Sequence, residues 1–314
     1  MHNDLTSLPI YVINLDRSPG RLTDISKNLN SLNLPYKRVR AIDGKQLSRN
    51  DTKEHASFLC NNFCTPSMIG CFLSHAKAWS TVIKNKDPYA LILEDDCKLI
   101  PEFRTECSKM IEEVNRVDPE WDFVYGGYFL NLFKDTAKKD EYNTIFIPGN
   151  MVGFHCYFIS LKGAHKLKKH ILGEKGVTNH VDLEFTKKKH LFNVYACKIK
   201  LGYQNASPEQ STQMSNSYPV TLNTIAKQFK LTDIDMSFIM QAPIGQVMGI
   251  PINLYIILYV IFLVLLASVI PVNKKTMWIG LYTFFGIEFI LNTNNIVPIL
   301  TYIGLAHAIL FRRK

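Results

Sequence analysis

Charge is what part of this chain runs short of. Between Met236 and Asn273 there is no Asp, Glu, Lys or Arg, and from Thr276 to Phe311 the single one is Glu288. A solvated surface is excluded for so long an uncharged stretch. Elsewhere charge is ordinary: 20% of residues overall, beside 47% hydrophobic, which excludes a disordered chain. Sixteen glycines in 314 residues exclude collagen. Cysteine is too scarce for a disulfide framework: there are 7, an odd count without regular spacing. The first residues carry no basic cluster and no long apolar core, so no signal peptide is expected. Lys and Arg form no stripe interleaved with aromatics, so no nucleic-acid partner is expected despite a net charge of +9.

The cysteines (Cys60, Cys64, Cys71, Cys97, Cys107, Cys156, Cys197) are read as reduced thiols in a reducing compartment. The rival is a zinc site from Cys60, Cys64, Cys71 and His75, whose spacing matches no compact pair-of-pairs pattern. The tail carries Lys274, Lys275, Arg312, Arg313 and Lys314 against Glu288. A mildly basic body on such a tail suits anionic headgroups and phosphorylated substrates; ordinary solvated lysines give the same balance.

Ile252 to Ile270 is a continuous apolar run between Pro251 and Pro271, at the helical rise about 28 Å long and close to a bilayer's apolar core. Two shorter runs, Thr276 to Leu291 and Ile296 to Phe311, follow. Three full spans would put both basic clusters on the cytoplasmic side and the body outside. Nothing visible in the sequence would export that body. The expectation is a membrane protein with its body on the cytoplasmic face, at least one run being re-entrant or interfacial. The organisation expected is a domain over 1–220, a connector over 221–249 and membrane-associated helices over 250–314.

The body alternates strands and helices. Strands are expected at Pro9–Leu15, Tyr36–Ile42, Tyr89–Leu93, Trp121–Tyr125, Ile145–Ile147, Phe154–Ile159 and Val194–Cys197. Helices are expected from Ser18-Pro19 to Leu32, over Gly70–Asn85, from Pro101 to Val117, and over Lys162–Ile171 and His180–His190. Gly202 to Tyr218 reads as a long loop. The pattern predicts an α/β fold with a largely parallel sheet and ligands at the carboxyl ends of its strands.

The strongest chemical signal is Glu94-Asp95-Asp96, which ends the apolar strand Tyr89–Leu93. Adjacent carboxylates repel, and a buried strand offers them no compensation. A hard divalent cation carrying phosphates is one answer, an acidic turn in water the other. On an extended chain Glu94 and Asp96 share one side and Asp95 faces away. Asn14, Asp16, Arg17 and Arg21 form a polar knot between the first strand and first helix, where backbone N–H groups and guanidinium groups favour an anion. Ser74 and His75 follow Gly70 and Cys71 on a helix; a histidine so placed is structural or chemical. Asp182 and Glu184 are either a base for a hydroxyl or acids of a helix's first turn.

Together, Tyr11–Arg21, Ala41-Ile42-Asp43-Gly44, Gly70–Trp79, Ala90–Asp96 and Val181-Asp182 resemble, in order, glycosyltransferase family 25, which includes lipooligosaccharide and collagen galactosyltransferases. The resemblance covers residues 9–215 and leaves out the hydrophobic tail. It implies a GT-A-like, Rossmann-type nucleotide-sugar domain, a UDP-sugar donor, transfer with inversion, and a glycan or lipid-linked acceptor. It places Mn2+ or Mg2+ on Glu94 and Asp96 with Asp95 assisting at the diphosphate. Asn14, Asp16, Arg17, Arg21 and Asp43 fall in the motifs lining the nucleotide pocket, Ser74 and His75 in the middle motif. Asp182, or else Glu184, becomes the base. Ser207–Ser217 is similar to the family's closing segment, and a third metal ligand is unassigned. A catalytically dead relative acting as a scaffold or glycan-binding module is the alternative, and a metal-dependent phosphohydrolase ranks third because no aspartate stands clearly at the end of the first strand.

Overall fold

The computed structural model describes residues 8–129, 131–132 and 142–204, and beyond them 228, 240, 242–247, 250–258 and isolated positions between 261 and 304. The chain divides into two compact units, Met1–Asn205 and Ala206–Lys314.

The first unit opens with β1 (Ile10–Asn14), α1 (Pro19–Ser31) and β2 (Lys37–Arg40). A 3-10 turn at Gly44–Gln46 leads to α2 (Arg49–His55), α3 (Phe58–Phe63) and the long α4 (Pro66–Asn85). There follow β3 (Tyr89–Glu94), β4 (Cys97–Leu99), α5 (Phe103–Val117), β5 (Phe123–Tyr125), β6 (Asn131–Leu132), β7 (Ile145–Phe146) and β8 (Asn150–Met151). The unit closes with β9 (Cys156–Ser160), α6 (Leu161–Lys166), α7 (Val181–Lys188), β10 (Val194–Cys197) and β11 (Gly202–Gln204).

Seven strands form one sheet in the order β2-β1-β3-β9-β5-β10-β7. β2, β1 and β3 pair in parallel, as do β5 and β10, whereas β9 runs antiparallel between β3 and β5 and β7 runs antiparallel to β10. The sheet is thus mixed. The chain from β5 to β9 has no crossover helix among the described residues, and without one a strand returning beside its predecessor runs against it.

Strand alternation sorts the core into two layers. Ile10 and Val12 face Leu29 of α1 and Phe103 and Met110 of α5; Tyr11 and Ile13 face Phe72 and Trp79 of α4 and Phe185 of α7. The sheet is covered on both faces, which is why β1 and β3 read as continuous apolar runs.

α4 begins four residues before the glycine where the sequence placed its start. Thr65 caps it, its hydroxyl accepting from Met68 N at 3.2 Å, and Pro66 fills the first helical position. Ser18 stands at the N-cap of α1 but makes no side-chain capping bond. The loop expected from Gly202 begins instead as β11, which pairs antiparallel with β4. The cysteines are not all reduced: Cys60, in α3, and Cys64, its C-cap, are disulfide-bonded, one helical turn bringing their Cα atoms to 4.6 Å. With both sulfurs in that bond, the zinc alternative built on Cys60, Cys64, Cys71 and His75 loses two of its ligands.

In the second unit β12 (Gly245–Val247) and β13 (Ile250–Ile252) pair antiparallel. Ser207–Ser217 and most of the connector and the three apolar runs lie outside the described residues. Among the described residues no helix is long and apolar enough to cross a membrane.

Two glycines lock α4 to the end of β2. A Cβ on Gly44 would lie 1.7 Å from Pro66 O, and one on Gly70 would lie 2.5 Å from Gly44 N and 2.6 Å from Ile42 O. The backbones touch only because neither residue has a side chain. Gly70→Ala is therefore expected to cost about 1–3 kcal/mol and several degrees of melting temperature, read by thermal unfolding; an unchanged melting curve refutes the lock. A second tie is Glu113 on α5, whose carboxylate accepts from Asn143 N at 2.8 Å, Thr144 N at 2.6 Å and Thr144 Oγ1 at 2.5 Å. Burial pushes its pKa up, but the bonds from Thr144 and Asn143 outweigh that and hold it below the usual range. A lowered carboxyl pKa stabilises the fold above the unfolded value and ceases to do so as pH falls through the folded one. Glu113→Gln is expected to lose about 1–3 kcal/mol at neutral pH, the gap to wild type closing as pH drops below the ordinary glutamate range; a pH-independent gap in denaturant titrations contradicts this.

Candidate active site

β1 is flanked by β2 on one side and β3 on the other, so the connections out of β1 and β3 diverge at their carboxyl ends. In open α/β sheets that divergence leaves a crevice for ligands. Asn14 ends β1 there, Glu94 ends β3 in register with Ile13, and Asp95-Asp96 turn the chain into β4.

The turn overrides the side-by-side alternation expected of an extended chain. Asp95 and Asp96, not Glu94 and Asp96, share a partner: the guanidinium of Arg21, from the first turns of α1, contacts Asp95 Oδ1 and lies 2.7 Å from Asp96 Oδ2. Asn14 is buried and works as a hub. Its Nδ2 donates to Asp95 Oδ2 at 2.6 Å and Ser18 O at 3.0 Å, and its Oδ1 accepts from Arg38 Nε at 2.9 Å. Gln204 Nε2 donates to Asp96 Oδ2 at 2.9 Å. Burial raises the pKa of Asp95, against the pull of Arg21 and Asn14. Burial likewise pushes Asp96 up to about 7; Arg21 opposes this and the neighbouring Glu94 and Asp95 add to it. One guanidinium does not offset the crowding of three carboxyls.

Glu94 turns the other way, towards α4. His75 Nε2 lies 3.0 Å from Glu94 Oε1, and Cys71 Sγ lies 3.9 Å from the same oxygen. The far side of the imidazole is held by Tyr157 Oη, 2.9 Å from Nδ1, and Trp79 Nε1 donates to that hydroxyl at 2.9 Å. Since the indole only donates, the tyrosine proton is available to His75 Nδ1, leaving Nε2–H to donate to Glu94. Burial raises the Glu94 pKa, but the hydrogen bond from His75 leads the effects that outweigh this and bring it below the usual range.

The remaining predicted residues make contacts of their own. Asp16 is exposed and bridges Arg38 and Arg40 of β2 at 2.6 and 2.5 Å; the Arg38 bond chiefly lowers its pKa. Arg17 Nε bonds Asp43 Oδ2 at 2.6 Å, while Asp43 Oδ1 accepts from Lys45 N at 3.1 Å and starts the 3-10 turn. Ser74 is a brace: its hydroxyl donates to Gly70 O at 2.6 Å and accepts from Ile42 N at 2.8 Å. Asp182, in the first turn of α7, accepts from Gly153 N at 3.1 Å and Leu183 N at 2.8 Å. Gly153 lies two residues before His155, whose carbonyl accepts from Glu94 N at 3.0 Å. Glu184 is buried against Lys188 at 2.8 Å and Lys187 at 3.7 Å. Burial raises its pKa, and the Lys188 bond overcomes this and lowers it.

Sequence reasoning missed Arg38, Tyr157, His155 and Gln204. Arg38 and Tyr157 lie inside strands where alternation alone marks them as surface or core, and Gln204 sits in a stretch that reads as loop.

Residues 7–185 match the family profile described as "Glycosyltransferase family 25 (LPS biosynthesis protein)". Among curated proteins, the chain is 30% identical over 166 residues to a "Glycosyltransferase 25 family member" of Aedes aegypti, covering 50% of this chain and 27% of that protein. It is 28% identical over 167 residues to "Procollagen galactosyltransferase 2" of Mus musculus, covering 50% and 27%. It is 27% identical over 171 residues to "Inactive glycosyltransferase 25 family member 3" of Mus musculus, covering 50% and 28%. The chain thus spans little more than a quarter of the length of these relatives. The profile covers more than half of the chain, and its matched segment holds the switch-point acids, the Arg21 and Asn14 network and Asp182: the chain belongs to glycosyltransferase family 25.

Proposed function

We propose that the first unit transfers a sugar, galactose in the first instance, from a UDP-sugar to a hydroxyl of a glycan or lipid-linked saccharide, with inversion. The carrying observation is the buried acid cluster at the switch point. Asp96 Oδ1 is buried and has no hydrogen-bond partner among the described residues, and burial beside two other carboxyls pushes its pKa towards neutrality. Such a group fits a hard divalent cation with oxygen ligands, Mn2+ or Mg2+. Asp96 and Asp95 would hold it, with Glu94 at the margin, held back by His75. When bound, such an ion supplies Lewis acidity towards a diphosphate leaving group.

The protein's own groups do the rest. Arg21 stands at the amino end of α1, where a guanidinium and backbone N–H groups stabilise a diphosphate's charge. Arg17, tied to Asp43, adds positive charge near the nucleotide. Asp182 is a better base than Glu184, because the Glu184 carboxylate is committed to Lys188. Asp182 takes the proton of the acceptor hydroxyl as that oxygen attacks the anomeric carbon and UDP leaves from the opposite face.

One observation favours a second reading, a non-catalytic glycan-binding or scaffold protein. Arg21 already pairs with Asp95 and Asp96, an arrangement that stabilises the acids without a metal, and some relatives carry the word inactive in their names. UDP release from a panel of UDP-sugars, with Mn2+ and an acceptor saccharide, separates the two. Wild type is expected to turn over. Asp96→Asn is expected to lose about a hundredfold or more in kcat while remaining folded, Asp182→Asn about 10²–10⁴-fold, and Glu184→Gln mainly stability. Near-wild-type turnover of Asp96→Asn sinks the metal assignment, and no UDP release by wild type with any donor favours the scaffold.

We further propose that the second unit attaches the protein to a membrane, with the body on the cytoplasmic face. Leu258, Ile261 and Leu265 are helical positions at three- and four-residue spacing, and all three are exposed, as are Ile279, Tyr282, Ile287 and Ile290. Large apolar side chains in that number call for a covering phase. The full chain is expected to float with liposomes containing anionic lipid, and in intact cells its body should resist protease added outside. Recovery in the unbound fraction, or digestion of the body by external protease, contradicts the respective claim.

A further inference from the structure

Three donor atoms of different softness converge where α4 passes the end of β3. Cys71 Sγ, a ring nitrogen of His75 and a Glu94 oxygen all lie within 4.8 Å of one another. His75 Nε2 lies 3.0 Å from Glu94 Oε1, and Cys71 Sγ lies 3.9 Å from the same oxygen. Around a tetrahedral zinc, with bonds of about 2.0–2.3 Å, ligand atoms stand roughly 3.3–3.6 Å apart. The His75–Glu94 and Cys71–Glu94 separations lie within a few tenths of an ångström of that range.

The spacing has a simple cause. Cys71 and His75 are one helical turn apart on α4 and present their side chains on one face. Gly70, the residue before Cys71, is pressed against the backbone of Gly44 and Ile42 and fixes this part of α4 there. A second observation points to a ligand as well. The His75 ring is 1% exposed, and its other nitrogen is held 2.9 Å from Tyr157 Oη, itself oriented by Trp79. A hydrogen-bonded far nitrogen is the outer-shell feature that orients metal-ligating imidazoles and fixes their tautomer. Cys71 is half-buried and outside any disulfide.

We propose that Cys71, His75 and Glu94 form a binding site for a borderline-soft cation, Zn2+, separate from the Asp95–Asp96 network. A thiolate, an imidazole and a carboxylate suit zinc rather than magnesium or manganese, and three protein ligands leave one tetrahedral position open. Binding releases the Cys71 thiol proton to solvent. The His75 proton resides on Nδ1 in the bound form and is donated to Tyr157 Oη, whose two lone pairs accept from His75 and Trp79 together. The proposal stands on these three residues alone and does not depend on the transferase reading.

The test titrates the full chain, oxidised at Cys60–Cys64 and without added thiol, with Co2+ as a spectroscopic stand-in for zinc. One Co2+ per chain is expected, with sulfur-to-cobalt absorption in the near ultraviolet that added Zn2+ abolishes. Cys71→Ser should eliminate that band, and Tyr157→Phe should weaken binding by about tenfold. Asp96→Asn should keep the band, which separates this site from the proposed hard-metal site. Far-ultraviolet circular dichroism verifies the fold of each variant. No sulfur-to-cobalt band in wild type, a band that persists in folded Cys71→Ser, or its loss in folded Asp96→Asn overturns the proposal.

Discussion

The sharing of Arg21 between Asp95 and Asp96 is the contact around which the first unit is arranged. Two acids leave a buried strand together, and the nearest cation comes from the helix that follows the neighbouring strand. Asn14 completes the arrangement by donating to Asp95 and accepting from Arg38, so the ends of β1, β2 and β3 are joined by one polar network. Breaking it would strand a buried carboxylate, which is far costlier than losing a surface pair. The same economy explains why Glu94 is not part of it. The guanidinium is committed to its two neighbours, and Glu94 finds His75 on the opposite face of the sheet's edge.

Much of this was legible in the residues themselves. The β-branched run of β1 and the apolar run of β3 marked central strands, and Pro19 and the amphipathic pattern of α4 marked helices. The acidic triplet marked the site because three neighbouring carboxyls at the end of a buried strand demand an explanation. Its internal geometry was not legible. Alternation assumes an extended chain, and the chain turns at Asp95-Asp96. Nor did the sequence show that Glu184 pairs with Lys187 and Lys188, one turn further along α7.

The elements that sequence patterns missed share a physical trait. α2 and α3 are short, and β4, β6, β8 and β11 are two or three residues long, so none develops a periodicity of its own. They exist because longer elements give them partners. Ser48 and Asp51 cap α2 reciprocally, while Ser57 N reaches Val177 O and secures the α2–α3 segment to the approach to α7. β11 is held by β4, and through that pairing Gln204 arrives at Asp96, 108 residues away in sequence. Motifs that look independent in the sequence are likewise one feature in space. The glycines at 44 and 70 touch through their backbones, so the segments around them have to be present together.

The reversed direction of β9 carries a consequence for how such a crevice can be furnished. In an all-parallel sheet every strand delivers only its trailing end to the ligand edge, and each new wall needs a helix-length detour. A reversed strand delivers its leading end instead, so the backbone entering β9 brings Gly153 and His155 to the acids directly. Insertions or deletions ahead of β9 would therefore reshape the wall facing the acids while leaving the sheet, the helices and the Arg21 network in register.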